Sequence, residues 1–195
     1  MTATTKTEKE IVLKLFKDFN VDYNSSNIAK EVNKTRVGAY KALNFLEKDT
    51  IVKGKNMGKA RFYQLNLEDE YARKNVETLL MEEAKKFQMW IDEFQEFFEY
   101  VDIVILFGSI VKNEEFAKDV DILLVYDEKY NQKINKIIKE KNEILLKKIH
   151  PVKQTKEDLI NNIQIKDKVI INAIKNGVIL FGYEKITEII KDVTQ

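Results

Sequence analysis

The chain has no cysteine, one proline, one histidine, one tryptophan and six glycines in 195 residues. Without cysteine there can be no disulfide and no thiolate metal centre, so any metal must be held by oxygen or by the lone His150. No window approaches the roughly 18 uninterrupted apolar residues that a membrane-spanning helix requires. The opening MTATTKTEKE has no apolar core of the kind that secretory signals carry. These absences lead us to expect a cytoplasmic protein with no membrane attachment. Apolar residues make up 44% of the chain, enough to bury the core of one large or two small domains.

Charge is nearly balanced overall, at +1, but unevenly placed. Residues 1–67 hold 13 Lys and Arg against 7 Asp and Glu, so the excess positive charge lies at the N-terminal end and the remainder is net acidic. Such asymmetry directs attention to nucleic-acid binding by the first third. There, Ile11, Val12, Leu15 and Phe16 recur at helical spacing and predict an amphipathic helix over 7–19. Asn24, Ser25 and Ser26 supply caps for a short helix through Ile28, Ala29 and Val32, and Thr35 caps a third from Arg36 to Lys48. Its inward stripe is Ala39, Ala42, Leu43 and Leu46. Two strands follow, Ile51 to Lys53 and Arg61 to Leu65, around GKNMGKA, whose two glycines suit a hairpin tip.

Three helices and a basic hairpin resemble a winged helix-turn-helix domain, a likeness covering about residues 7–66. The resemblance implies binding to double-stranded DNA, with Arg36, Tyr40, Lys41 and Asn44 of the third helix facing the major groove. Lys55, Lys59 and Arg61 on the wing would meet backbone phosphates. The same fold also serves protein contacts, in which case these side chains are simply a solvated face.

Residues 67–100 contain neither glycine nor proline, and Val76, Leu79, Leu80, Phe87, Trp90, Ile91, Phe94, Phe97 and Phe98 recur every three or four positions. The pattern predicts one connecting helix, or two nearly continuous ones, with an apolar stripe to bury in a core. Its aromatic content also makes it a candidate homodimer seam.

Residues 103–126, IVILFGSIVKNEEFAKDVDILLVY, organise the rest. Two apolar runs bracket Gly108-Ser109 and Asp119-Val120-Asp121, which predicts two buried strands joined by a turn and a short helix. Asp119 and Asp121 are two apart on a strand, so both carboxylates project to one side. Paired carboxylates beside a glycine-serine turn suit a divalent cation and a phosphate chain. Hydrophobic-Gly-Ser, nine residues, then Asp-hydrophobic-Asp is similar to the signature of the DNA polymerase beta-like nucleotidyltransferase superfamily, especially its minimal members. The resemblance implies nucleotide binding at Gly108 and Ser109, and Mg²⁺ or Mn²⁺ on catalytic Asp119 and Asp121, with NTP as substrate or ligand. Some minimal members are antitoxins that modify a partner protein, so a partner of toxin-antitoxin type is also implied.

Downstream, Ile134, Ile137, Ile138 and Leu145 mark a helix, a third strand is expected over 145–153, and a capping box at Thr155 opens one helix running to Ile174 with Gly177 as its stop. Residues 178–181 form a short apolar run, and a terminal helix covers 185–191. The expected fold class is α+β, with α/β character: a winged helix-turn-helix domain over 1–66, a connecting helix over 67–100, and a nucleotidyltransferase-like mixed sheet flanked by helices over 101–195. Active relatives place a third acid on the third strand, whereas KKIHPVKQT has none. His150 stands near that place and reads as a structural strand-end residue. Two functions follow: Mg-dependent transfer of an NMP to an unknown acceptor, or DNA-binding regulation through a non-catalytic nucleotide-sensing or oligomerising domain.

Overall fold

The computed structural model describes residues 5–194. They divide into two compact units, residues 5–79 with 190–194, and residues 80–189. No helix among them is long and apolar enough to cross a membrane.

The first unit begins with α1 (Lys6–Lys17), capped by a reciprocal Thr5–Glu8 box. A two-residue strand, β1 (Tyr23–Asn24), leads directly into α2 (Ser25–Glu31), because the Asn24 side chain accepts from the N–H groups of Ser26 and Asn27. The turn that follows pivots on Asn33, with φ 51°, in the left-handed region that asparagine tolerates. Thr35 then caps α3 (Arg36–Lys48), whose buried stripe is Ala39, Ala42, Leu43 and Leu46 as the spacing predicts. β2 (Val52–Met57) and β3 (Ala60–Leu65) form the wing, and β1 joins β3 on its other edge. Only one of the two glycines makes the hairpin tip. Gly58, with φ 61°, lies in the two-residue turn, while Gly54 sits inside β2 opposite Tyr63. Its missing side chain leaves room for the Arg61 guanidinium, which lies where a Cβ would be.

A polar knot anchors α1 to β1 and α2. Asp18, only 5% exposed, accepts from the Tyr23 hydroxyl at 2.8 Å and pairs with Lys14 at 2.8 Å. Lys14 also pairs with Glu31 at 2.6 Å. Burial, and then the bond to Asp18, push the Tyr23 phenol up to about 12.

The connecting segment is helical but broken. α4 (Glu70–Ala84) is followed by a 3-10 turn (Lys85–Phe87), α5 (Gln88–Phe94) and a second 3-10 stretch (Gln95–Glu99). Trp90, Phe94 and Phe97 are buried in the core of the second unit. Their rings pack in sequence in tilted pairs, with centroids 5.6 and 5.8 Å apart.

The second unit is built on a four-stranded mixed sheet of order β6-β5-β4-β7. β4 (Ile103–Phe107) is buried along its whole length because it has a strand on either side and cover on both faces. It runs antiparallel to β5 (Asp119–Val125) and to β7 (Val178–Phe181). β5 is parallel to β6 (Lys148–Gln154), which requires the crossover helix α7 (Asn131–Ile144) between them. Val104, Leu106, Val120, Ile122 and Leu124 share one core with Ile134, Ile137 and Ile138 of α7 and with the aromatics of the connecting segment.

Two expectations are corrected here. The third strand spans 148–154, not 145–153, because α7 continues to Ile144 and Leu145 caps it. The single helix from Thr155 to Ile174 is two, α8 (Lys156–Gln164) and α9 (Lys168–Asn176). Lys166 takes φ 57°, and Asp167 accepts from the N–H groups of Val169 and Ile170, which starts a new helix. Gly177 follows α9 so closely against β4 that a Cβ there would strike Leu106 and Ile105. α10 (Tyr183–Val193) ends the described chain.

Candidate functional site

The site of the second unit forms where β4 ends and β5 begins. Phe107 pairs with Asp121, so the turn after β4 falls beside the Asp pair. Gly108 takes φ 80° and ψ −151°, a conformation open to glycine and almost nothing else. Its absent side chain is also needed for space. A Cβ at Gly108 would overlap the Asp121 carboxylate, lying 3.0 Å from Cγ. The turn therefore lets the backbone rest on that carboxylate and places Ser109, exposed, at the head of the short α6 (Ser109–Lys112).

Asp119 and Asp121 are half-buried, while Val120 between them points into the core. Burial, followed by the neighbouring charge of Asp119, raises the Asp121 carboxyl above its ordinary range, and His150 opposes that shift. Two carboxylates so placed hold excess negative charge, the condition for attracting a cation.

His150 is not at a strand end. It is inside β6, directly opposite Asp121 in the parallel register, and so on the same face. Its Nδ1 lies 3.4 Å from Asp119 Oδ2, and its side chain is 62% exposed. Asp119, Asp121 and His150 each offer a donor atom within 4.8 Å of the others. The sequence could have signalled this only through register, since it is the β5–β6 pairing that brings residue 150 to residue 121. Glu114 and Glu115, in the loop after α6, are exposed and stand outside the cluster. The Glu114 carbonyl accepts from Lys147, which ties that loop to the start of β6.

In the first unit, a cleft of about 530 Å³ opens between the start of α2, α3 and the wing. Arg36, Tyr40, Lys59 and Arg61 line it together, along with Ser25 and Ser26. Lys41 and Lys55 are exposed outside it, and Asn44 is half-buried. Arg61 is not a freely extended wing cation. Its guanidinium is paired with Glu47 of α3 and donates to Asn56 Oδ1 at 3.0 Å, while Glu47 also accepts from the Gly54 N–H at 3.0 Å. These bonds fasten the wing to the third helix.

No curated protein matches this chain in sequence. Among solved structures, it is similar to the adhesin competence repressor AdcR of Streptococcus pyogenes, with 17% identity and a TM-score of 0.38 over 49% of this chain and 69% of that one. It is also similar to ZitR of Lactococcus lactis, with 14% identity and a TM-score of 0.39 over 72% of this chain and 76% of that one. The family described as "Polymerase beta, Nucleotidyltransferase" matches residues 88–186, a span that holds the glycine-serine turn, the Asp pair and all four strands of the mixed sheet. With half of its length matched and the strand-turn-strand geometry in place, the chain belongs to the polymerase beta nucleotidyltransferase family.

Proposed function

We propose that the second unit transfers a nucleoside monophosphate from an NTP to an acceptor hydroxyl, and that the first unit holds the protein on double-stranded DNA. The observation that carries the first half is the seating of Asp121 against the Gly108 turn, with the Asp119 carboxylate beside it. Two carboxylates and an imidazole with donors this close are a fit set for one divalent cation, Mg²⁺ or Mn²⁺. Such an ion, when bound, neutralises triphosphate charge and stabilises the charge that develops on the attacking and leaving oxygens. In this reaction the acceptor hydroxyl gives its proton to solvent as its oxygen bonds to the α-phosphorus, the bond from that phosphorus to the bridging α–β oxygen breaks, and pyrophosphate departs. Gly108 lets the phosphate chain approach backbone, and the Ser109 hydroxyl donates to it. Asp119 and Asp121 fix the cation's place, so the chain contributes mainly position and preorganised charge.

Incubation with α-labelled NTP, Mg²⁺ or Mn²⁺, and cell extract tests the reading. Label reaching an acceptor with the native chain, and not with Asp119→Ala/Asp121→Ala, is expected. A second reading, a DNA-bound nucleotide sensor without turnover, is favoured by one observation: the third donor is His150 where a further carboxylate would complete the anionic set. Nucleotide binding with no label transferred would select it.

DNA binding rests on the basic lining of the α3 cleft, where Arg36 and Tyr40 lie one helical turn apart on the exposed face.

A further inference from the structure

We infer that His150 is a third metal ligand, and that it tilts the site toward Mn²⁺ and away from Mg²⁺. The assignment builds on the proposal that Asp119 and Asp121 hold a cation.

Three observations meet at this residue. The parallel register sets His150 directly beside Asp121, and alternation then sends its ring to the carboxylate face. Its Nδ1 is 3.4 Å from Asp119 Oδ2, and the three donors are mutually within 4.8 Å. Ligands on opposite sides of an ion of this size stand about 4.2 Å apart, so small side-chain rotations close the set around one cation. Finally, the ring is 62% exposed, so it adds little to the core beneath it. Ile149 and Pro151 fill the neighbouring positions of the strand, and of these Ile149 joins the core cluster.

The donor chemistry sets the preference. Mg²⁺ is a hard ion that favours oxygen and gives up its water reluctantly, and an imidazole nitrogen is a poor exchange for that water. Mn²⁺ accepts carboxylate oxygen as readily and takes imidazole better. Replacing a third carboxylate by a neutral ring also removes one negative charge, and Mg²⁺ affinity depends most on that charge.

The lone histidine makes the test direct, because any imidazole signal on bound metal must come from residue 150. Pulsed paramagnetic resonance of the full chain with Mn²⁺ is expected to show nitrogen hyperfine coupling, lost in His150→Ala. Competition titration of Mn²⁺ against Mg²⁺ should give a preference for Mn²⁺ that falls on the order of tenfold in His150→Ala. His150→Asp should raise Mg²⁺ affinity, and unchanged Trp90 emission in each variant verifies the fold. Mn²⁺ bound without nitrogen coupling, or an ion preference indifferent to His150→Ala, overturns the assignment. Coupling present in a chain that transfers no label leaves it standing and removes only the transferase reading. If wild type binds neither ion better than Asp119→Asn/Asp121→Asn does, the carboxylate site falls and the assignment falls with it.

Discussion

Replacing Gly108 by alanine isolates the contact on which the site depends. The residue sits at φ 80° and ψ −151°, and forcing a side chain into that region costs about 1–3 kcal/mol. The new Cβ would also overlap the Asp121 carboxylate oxygen Oδ2 and lie 3.0 Å from Cγ, whereas non-bonded heavy atoms rest at about 3.5–4.0 Å, so the carboxylate must retreat by roughly 1 Å or more. A misplacement of about 1 Å can cost on the order of a hundredfold in rate. Trp90 is the sole tryptophan, 5% exposed within the second unit, so its emission during urea unfolding reports that unit. We expect an earlier Trp90 transition in Gly108→Ala, weaker Mn²⁺ binding, and label transfer reduced by the larger factor. Gly58→Ala is the matched control, with φ 61° but nothing within 4 Å of its Cβ and a position in the first unit. It should leave the Trp90 transition and the metal affinity in place. A Gly108→Ala chain that unfolds and binds Mn²⁺ like wild type would refute the reasoning.

Three further outcomes are expected. Asp121 is harder to ionise folded than unfolded, so its ionisation weakens the metal-free fold as pH rises from the ordinary value of about 3.9 through the raised one. Asp121→Asn should therefore delay the Trp90 urea transition near neutral pH, with the gap closing below that ordinary value; a gap that widens in acid would contradict the sign. Tyr23→Phe removes a donor from the buried Asp18 and should destabilise the first unit by about 1–3 kcal/mol, read by circular dichroism; an unmoved midpoint would show the bond to be dispensable. Removing a phosphate contact, as in Arg36→Ala or Lys41→Ala, should lower the slope of log affinity for duplex DNA against log salt by about 0.9 each. A slope that does not move excludes that side chain from the contact.

Legibility in the sequence followed the range of the forces involved. α3 was readable to its ends because a cap, a helical stripe and the absence of breakers all act within a few residues. The break between α8 and α9 was local too, but its signal was a single Asp167 cap inside an otherwise continuous apolar period, and Ile165 turned out 74% exposed. β1 escaped notice because two residues carry no period, and its existence depends on β3 forty positions away. The Asp pair and the Gly108 turn were legible as a motif. That His150 belongs with them was not, since a parallel register is fixed by the crossover and the packing of α7 rather than by any neighbouring residue.

β6 is the outer strand of its sheet, and outer strands tend to recruit further strands. In a parallel pair, alternate residues turn their backbone groups outward, and in β6 these are Ile149, Pro151 and Lys153. Each has at least one of these groups occupied or missing. The Asn142 side chain accepts from the Ile149 N–H at 2.7 Å, Pro151 has no N–H to offer, and the Lys153 carbonyl accepts from the Gln154 amide at 2.9 Å. The lone proline of the chain thus works as a stopper on a zipper, one place along from His150. A strand arriving at this rim therefore finds fewer backbone groups to pair with than a bare edge would offer.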